Sequence, residues 1–204
     1  VIMKLPVTFQ LGLMGLIIAQ LIALPVGIYS ALRQDNWGDY IGRSVAILFM
    51  AIPSFWLATM LIVYPSIWWS YMPPLIYVPF IENPISNLQM FILPAICVGM
   101  ATCGATMRLT RTMMLEVLRQ DYIRTAWAKG LSERVVIWRH ALKNAMIPVI
   151  TVVGLQAVFI VGGTVIMESI FSLPGLGLYM IEALNVRDYP VIIGINLVIA
   201  IFVM

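Results

Sequence analysis

The sequence predicts an all-α polytopic membrane protein, a transmembrane helical bundle of about five spans, and three observations predict it. Of the 204 residues 62% are hydrophobic and only 10% charged, with a mean hydropathy of +0.99, whereas soluble domains carry about 25% charged residues. Several apolar stretches reach the roughly 20 residues that a helix needs to cross the hydrocarbon core, and in lipid only a helix or a closed barrel satisfies its own backbone. Charge is also confined: eight of the twelve Lys and Arg residues lie between Arg108 and Lys143, in one internal segment between long apolar runs.

Apolar runs between polar breaks place spans at Gln10 to Leu32, Arg43 to Tyr64, Gln89 to Met107 and Ala145 to Met167, with a fifth from about Pro190. Pro25 and Pro53 fall inside spans and read as kinks rather than breaks, because neighbouring helices can satisfy the freed carbonyls. One membrane domain over residues 1–204 is expected. The first residue, Val1, and a last residue, Met204, inside an apolar run read as a fragment lacking its first span and the end of its last. No cleavable signal is readable, since Lys4 is the only early cation and no small-residue cleavage site follows the apolar stretch.

The connections alternate in charge. Arg33 and Arg43 bound the first, the second (65–88) has no Lys or Arg, the third is the basic segment, and the fourth has only Arg187. The positive-inside rule then puts the first and third in the cytoplasm. The second carries Trp68, Trp69, Tyr71, Pro73, Pro74, Tyr77 and Pro79 and reads as an aromatic interfacial segment on the outer side. No ionisable residue lies in the central part of the first four spans, which disfavours a proton-driven carrier, since such groups cost about 2.5–3.5 kcal/mol at mid-membrane and mark ion pathways.

Other chemistries find little support. The formal charge of +3 comes without an aromatic-interleaved basic patch or a recognition helix, so no nucleic acid partner is expected. Cys97 and Cys103, six apart on one apolar segment, point to different helix faces and predict lipid-facing or core-packing residues rather than a disulfide or a metal pair. His140 has no ligand cluster around it and reads as a polar surface or interface residue. Ser54, Ser66 and Ser169 lack a base partner, and the fourteen Met residues are scattered and read as packing. The Gly-rich run from Ser172 to Gly177 is no phosphate loop, because none of the three Lys residues follows a Gly as that loop requires.

Within the basic segment Met113 to Lys129 predicts one helix, free of Pro and Gly. Gly130 is placed to end it in a left-handed conformation and Ser132 to cap the next helix. In that second helix Leu131, Val135, Trp138 and Leu142 form an apolar stripe opposite Glu133, His140 and Lys143. An amphipathic helix at a cytosolic tip suits a groove on a partner.

The order of residues goes further. Asp121-Tyr122-Ile-Arg124-Thr125-Ala126-Trp127-Ala128-Lys129-Gly130-Leu131-Ser132, followed by Arg139-His140-Ala141-Leu142-Lys143-Asn144-Ala145 and Pro148, resembles the EAA loop of ABC importer permeases in its dipeptide/oligopeptide/nickel form. Downstream, Gly162-Gly163, Glu168, Ile170-Phe171, Pro174-Gly175-Leu176-Gly177 and Arg187-Asp188-Tyr189-Pro190 resemble that family's signature between its last two spans. Arg124 and Lys143 stand where the broader pattern has Glu and Pro, replacements that narrow the subgroup to the peptide type.

The resemblance implies a type I importer permease in the inner membrane of a bacterium or archaeon, with residues 113–144 as a cytoplasmic coupling loop. It implies ABC ATPase subunits, a second, non-identical permease and an extracytoplasmic binding protein as partners, with lipid around the spans. The chain itself is then no enzyme and binds no cofactor; ATP is used by the partner subunits. Position in the motif assigns ATPase coupling to Asp121, Arg124, Thr125, Ala126, Lys129, Gly130 and Arg134, and an outer-loop signature to Glu168, Pro174, Gly175, Gly177, Arg187, Asp188 and Pro190. Glu168 reads first as a negative charge at the start of a following short helix, and second as a structural tie. An ATP-independent carrier or channel subunit is the leading alternative; a membrane-embedded enzyme and a non-transporting scaffold follow.

Overall fold

The computed structural model describes residues 2–72, 74 and 76–203 and contains no strand among them. Its helices are α1 (Leu5–Leu32), α2 (Trp37–Ala51), α3 (Ser54–Trp69), α4 (Pro84–Leu118), α5 (Asp121–Ala128), α6 (Glu133–Val135), a π-helical turn Val136–Ala141, α7 (Leu142–Gly163), α8 (Val165–Ile170), α9 (Leu176–Val186) and α10 (Tyr189–Val203). Among the described residues three helices are long and apolar enough to cross a membrane, or four if the broken pair α2–α3 counts as one; α10, with 15 residues, stands at the fifth expected position.

Several boundaries differ from those expected. Pro25 lies inside an unbroken α1, but the second span is interrupted at Ile52–Pro53. Pro53 has extended backbone (φ −62°, ψ 130°) and serves as the N-cap of α3, as expected where a proline lacks its N–H and biases the residue before it away from the helix. α3 continues through Pro65 to Trp69, so Trp68 and Trp69 end a helix rather than open a loop. Pro73 of the aromatic segment lies outside the described residues. α4 runs three turns past Met107, because residues 108–118 contain no helix breaker. The fourth span stops at Gly163 instead of Met167, after two poor helix formers, and α8 starts anew from Thr164.

Where one domain is expected, the chain packs as two compact units. The first comprises residues 1–18, 52–101 and 156–204, the second residues 19–51 and 102–155. The core of the first gathers Val7, Leu11, Ala58, Met90, Phe91, Ala95, Cys97, Met167, Phe171 and Leu173. Here Tyr77 packs edge-on against Phe91 at 6.4 Å, and buried Asn87 donates to the Val78 carbonyl (2.9 Å) and accepts from Gln10.

The second unit has two clusters, one of Ala19, Ala23, Ala46, Cys103 and Met107 and one built around Met114, Ile123 and Val136. Both cysteines are thus core residues. Small residues let helices touch here, as in membrane proteins generally: a Cβ on Gly104 would lie 2.5 Å from the Ala46 carbonyl oxygen and 2.8 Å from Met50 Cγ. Gly104→Ala is therefore expected to destabilise by about 1–3 kcal/mol. Gly154→Ala, whose new methyl meets nothing within 4 Å, should be neutral or stabilising by up to about 1 kcal/mol. Thermal unfolding of the two variants in detergent checks the contrast, and equal midpoints would refute the close-packing argument.

Candidate functional site

The basic segment folds as a helix, a turn and a second helix, but not with the expected boundaries. The single helix expected over 113–129 is broken at Arg119–Gln120, where Gln120 is extended (φ −73°, ψ 149°) and caps α5. Packing explains the break. Met114 and Ile123 are both fully buried in one cluster with Ala31, Ala126, Val136, Ile137, Ala141 and Ala145. On a straight helix the nine-residue separation of Met114 and Ile123 would hold them roughly 13 Å apart. The turn lets α5 fold back, and propensity alone carries no trace of it.

Gly130 ends α5 as expected, with φ +75°. The Leu131 N–H donates to the Ala126 carbonyl (3.4 Å) and the Gly130 N–H to that of Trp127 (2.9 Å), the paired bonds of a Schellman cap. Ser132 takes the N-cap position of α6, its carbonyl receiving Val135 and Val136 N–H groups, while its side chain makes no capping bond.

The expected apolar stripe of the second helix is not the buried one. Leu131 (37% exposed), Val135 (37%) and Trp138 (57%) face outward, whereas Leu142, the fourth member, packs partly buried against the buried face of Val136, Ile137, Ala141 and Ala145. Leu131 lies in the loop before α6, and from Val136 onward the register is set by the π-helical turn at Val136–Ala141. Its wider i→i+5 repeat puts Val136 above Ala141 and shifts the register that a 3.6-residue period predicts.

Of the seven residues assigned to partner docking, Asp121, Arg124, Thr125, Lys129, Gly130 and Arg134 are exposed on α5, its cap and α6. Ala126 is set apart: it is 7% exposed and packed inward against the cluster that seats α5. Arg124 and Asp121 pair at 3.4 Å with 76% and 94% of their side chains exposed, a contact worth little by itself and leaving both available. The Thr125 hydroxyl donates to the Asp121 carbonyl at 2.9 Å. Tyr122 and Trp127 share this outward face, at 43% and 45% exposure. The Asn144 amide ties α7 to α5 through the Tyr122 hydroxyl (2.8 Å), a link that sequence reasoning missed. His140 is half-buried.

The downstream signature, in the other unit, converges on Glu168. This carboxylate is fully buried. It accepts from Thr8 Oγ1 (2.7 Å), Thr164 Oγ1 (2.9 Å) and the backbone N–H groups of Gly177 (2.7 Å) and Leu178 (3.1 Å). It therefore sits at the N-terminus of α9, where free N–H groups and the helix dipole favour an anion. A Cβ on Gly175 would collide with the carboxylate, and one on Gly177 would lie 2.5 Å from Val165 Cα; Pro174 leads into this turn. Arg187 ends α9 in the left-handed region (φ 58°), the Asp188 carboxylate accepts from the Val191 N–H (3.2 Å), and Pro190 falls in the first turn of α10. The signature is thus two helix junctions. Among the described residues no group of three or more His, Cys, Asp or Glu could hold a metal ion.

These features define a multi-pass membrane protein with a charged helix-turn-helix exposed between two long apolar helices. Residues 23–204 match the family described as binding-protein-dependent transport system inner membrane component, and the chain belongs to that family, a family of inner-membrane proteins. It is 41% identical over 197 residues to a dipeptide transport system permease protein of Bacillus subtilis, a match covering 93% of this chain and 59% of the relative. It is 39% identical over 216 residues to the protein of the same name from Escherichia coli K12, covering 95% and 64%. The chain thus spans less than two thirds of the length of these relatives. Its fold resembles that in the crystal structure of an amino acid ABC transporter with histidines, with a TM-score of 0.74 at 12% identity over 99% of this chain and 86% of the other.

Proposed function

We propose that this chain is the membrane-spanning part of a permease subunit of an ATP-driven ABC importer, carrying peptides or a related small solute across the inner membrane. The dipeptide permease relatives support the substrate class. The observation that carries the coupling is the exposed polar face of α5, held by Ile123 and Ala126 in a close-packed cluster with α4, the π-helical turn and α7. ABC ATPase subunits dock on α5, a second and non-identical permease completes the pathway, and an extracytoplasmic binding protein delivers the cargo. The chain is not itself an enzyme and needs no cofactor.

Close packing makes the coupling mechanical. A displacement of α5 by closing ATPases is passed through Met114 and Val136 to the long helices, because a packed cluster moves between discrete arrangements rather than deforming. The path can then be dry and poor in charge, with specificity residing in the binding protein.

The test is substrate-stimulated ATP hydrolysis in liposomes by the full-length protein assembled with its ATPases, second permease and binding protein, comparing wild type with Gly130→Pro. Proline fixes φ near −65° and removes the N–H that bonds Trp127, so the cap cannot form. Coupled hydrolysis is expected to fall about tenfold or more with the complex still assembled. Unchanged coupling would sink the assignment of α5 and its cap as the coupling element, and wild type without substrate-stimulated hydrolysis would favour an ATP-independent carrier or channel.

A further inference from the structure

The second unit contains a basic recess that the coupling reading does not use. Arg43 and Ile47 from α2 and Arg108, Arg111 and Thr112 from α4 line a partly open cavity of about 270 Å³. Asp39 faces these three guanidinium groups, and the Asp35 charge also acts on Arg111. Asp39, fully buried, takes Arg111 in a two-pronged pair at 2.7 Å and 2.7 Å and stands 3.5 Å from Arg43 Nε. Three cations against two anions leave the recess with an excess of one positive charge.

That excess is aimed. The Arg43 guanidinium lies over the Tyr40 ring at 4.6 Å; its Nε stands 3.5 Å from Asp39 without forming a hydrogen bond, and its Nη2 has no hydrogen-bond acceptor among the described residues, on a side chain 37% exposed. The Nη2 side of the fork is therefore open to an acceptor entering the recess. Arg108 is exposed and reaches the Met50 sulfur at 3.7 Å, a weak acceptor. Two forked donors flanking one recess match the oxygens of a phosphate group.

The surroundings indicate the source of that phosphate. Ile47 (59% exposed), Leu48 (53%) and Met50 (47%) on the same helix present an apolar surface suited to lipid. Trp37 (84%) and Tyr40 (50%) at the start of α2 suit the membrane interface. The positive-inside rule puts this end of the helix on the cytoplasmic side, where the leaflet is anionic. The cavity falls just below the roughly 300–1,000 Å³ of pockets that enclose a whole small molecule, which fits a headgroup whose tails remain outside.

We propose that Arg43 and Arg108, with Arg111 held behind them by Asp39, form a phosphate site occupied by the headgroup of an anionic phospholipid of the cytoplasmic leaflet. The site is independent of the transport reading. Its test is lipid retention by the full-length protein in its complex, measured by native mass spectrometry during titration with phosphatidylglycerol, phosphatidylcholine or inorganic phosphate. Wild type is expected to retain phosphatidylglycerol over phosphatidylcholine. Arg43→Gln/Arg108→Gln should weaken that retention about 30-fold, each lost charge removing about fivefold. Arg108→Gln alone alters only an exposed side chain, keeps the Asp39 pair intact and should show the single fivefold step. Arg119→Gln, an exposed cation that bonds Gln34 at 3.4 Å, should retain lipid as wild type does. Equal retention of the two lipids, or a preference untouched by Arg108→Gln, would overturn the proposal. Displacement of phosphatidylglycerol by millimolar inorganic phosphate would overturn the lipid assignment in favour of a soluble anion.

Discussion

Glu168→Ala is expected to destabilise the protein by about 3–5 kcal/mol, because it strands four hydrogen-bond donors in a buried site. The two Thr hydroxyls can turn away, but the N–H groups of Gly177 and Leu178 belong to a helix N-terminus and cannot. Thr8 adds to the loss. Its hydroxyl donates to Glu168 and also accepts from the Leu176 N–H at 2.8 Å, so the carboxylate orients a second capping contact at one remove. Glu168→Gln keeps the volume but replaces one acceptor oxygen with an amide NH2 donor, and should lose about half as much. In detergent-solubilised protein the apparent midpoint should fall by about 10 °C or more for Glu168→Ala. An unchanged midpoint would show that α9 needs no anion.

Part of this junction is legible in the amino-acid sequence. A single Glu shortly before a Pro-Gly-x-Gly turn predicts a charge at the start of the following helix, and that is its local arrangement. Thr8 is not legible: it lies 160 residues from Glu168, and an isolated Thr in an apolar run carries no signal of its own. Pro53 shows the opposite failure, since the residue stands out in its apolar run but its consequence depends on whether tertiary packing re-satisfies the backbone.

The basic segment divides in the same way. Gly130 is legible because only one common residue takes a left-handed cap without strain. The break before Asp121 and the π-helical turn at Val136–Ala141 are not, because the residues there are ordinary helix formers. Both follow from burying Ile123, Val136 and Ala141 together. Periodicity assumes an ideal helix, and one i→i+5 turn moves the apolar face by a residue or two. The exposed character of Asp121, Arg124 and Lys129 survives this shift because they precede it in the chain.

The Asp39–Arg111 pair is where magnitudes must decide between two descriptions. Counted as a surface ion pair at a membrane edge it would contribute about 0–1 kcal/mol. Its exposures argue otherwise: the Asp39 side chain is wholly buried and that of Arg111 is 18% exposed. Asp39 also accepts from Ser30 Oγ and from the Asp35 N–H at 3.0 Å, so the carboxylate joins the end of α1, the turn after it and α4 within the second unit. Removing one partner from such a pair leaves an uncompensated buried charge, and Asp39→Ala is expected to cost about 3–5 kcal/mol. Removing both should cost much less than the sum. A double-mutant cycle of Asp39→Ala and Arg111→Met, followed by thermal unfolding in detergent, should return a coupling of about 2–3 kcal/mol. A coupling below about 0.5 kcal/mol would return the pair to the ordinary surface class. The recess lined by Arg43 and Arg108 would then lose the fixed wall on which its own geometry depends, since only a committed Arg111 leaves those two side chains with charge to spare.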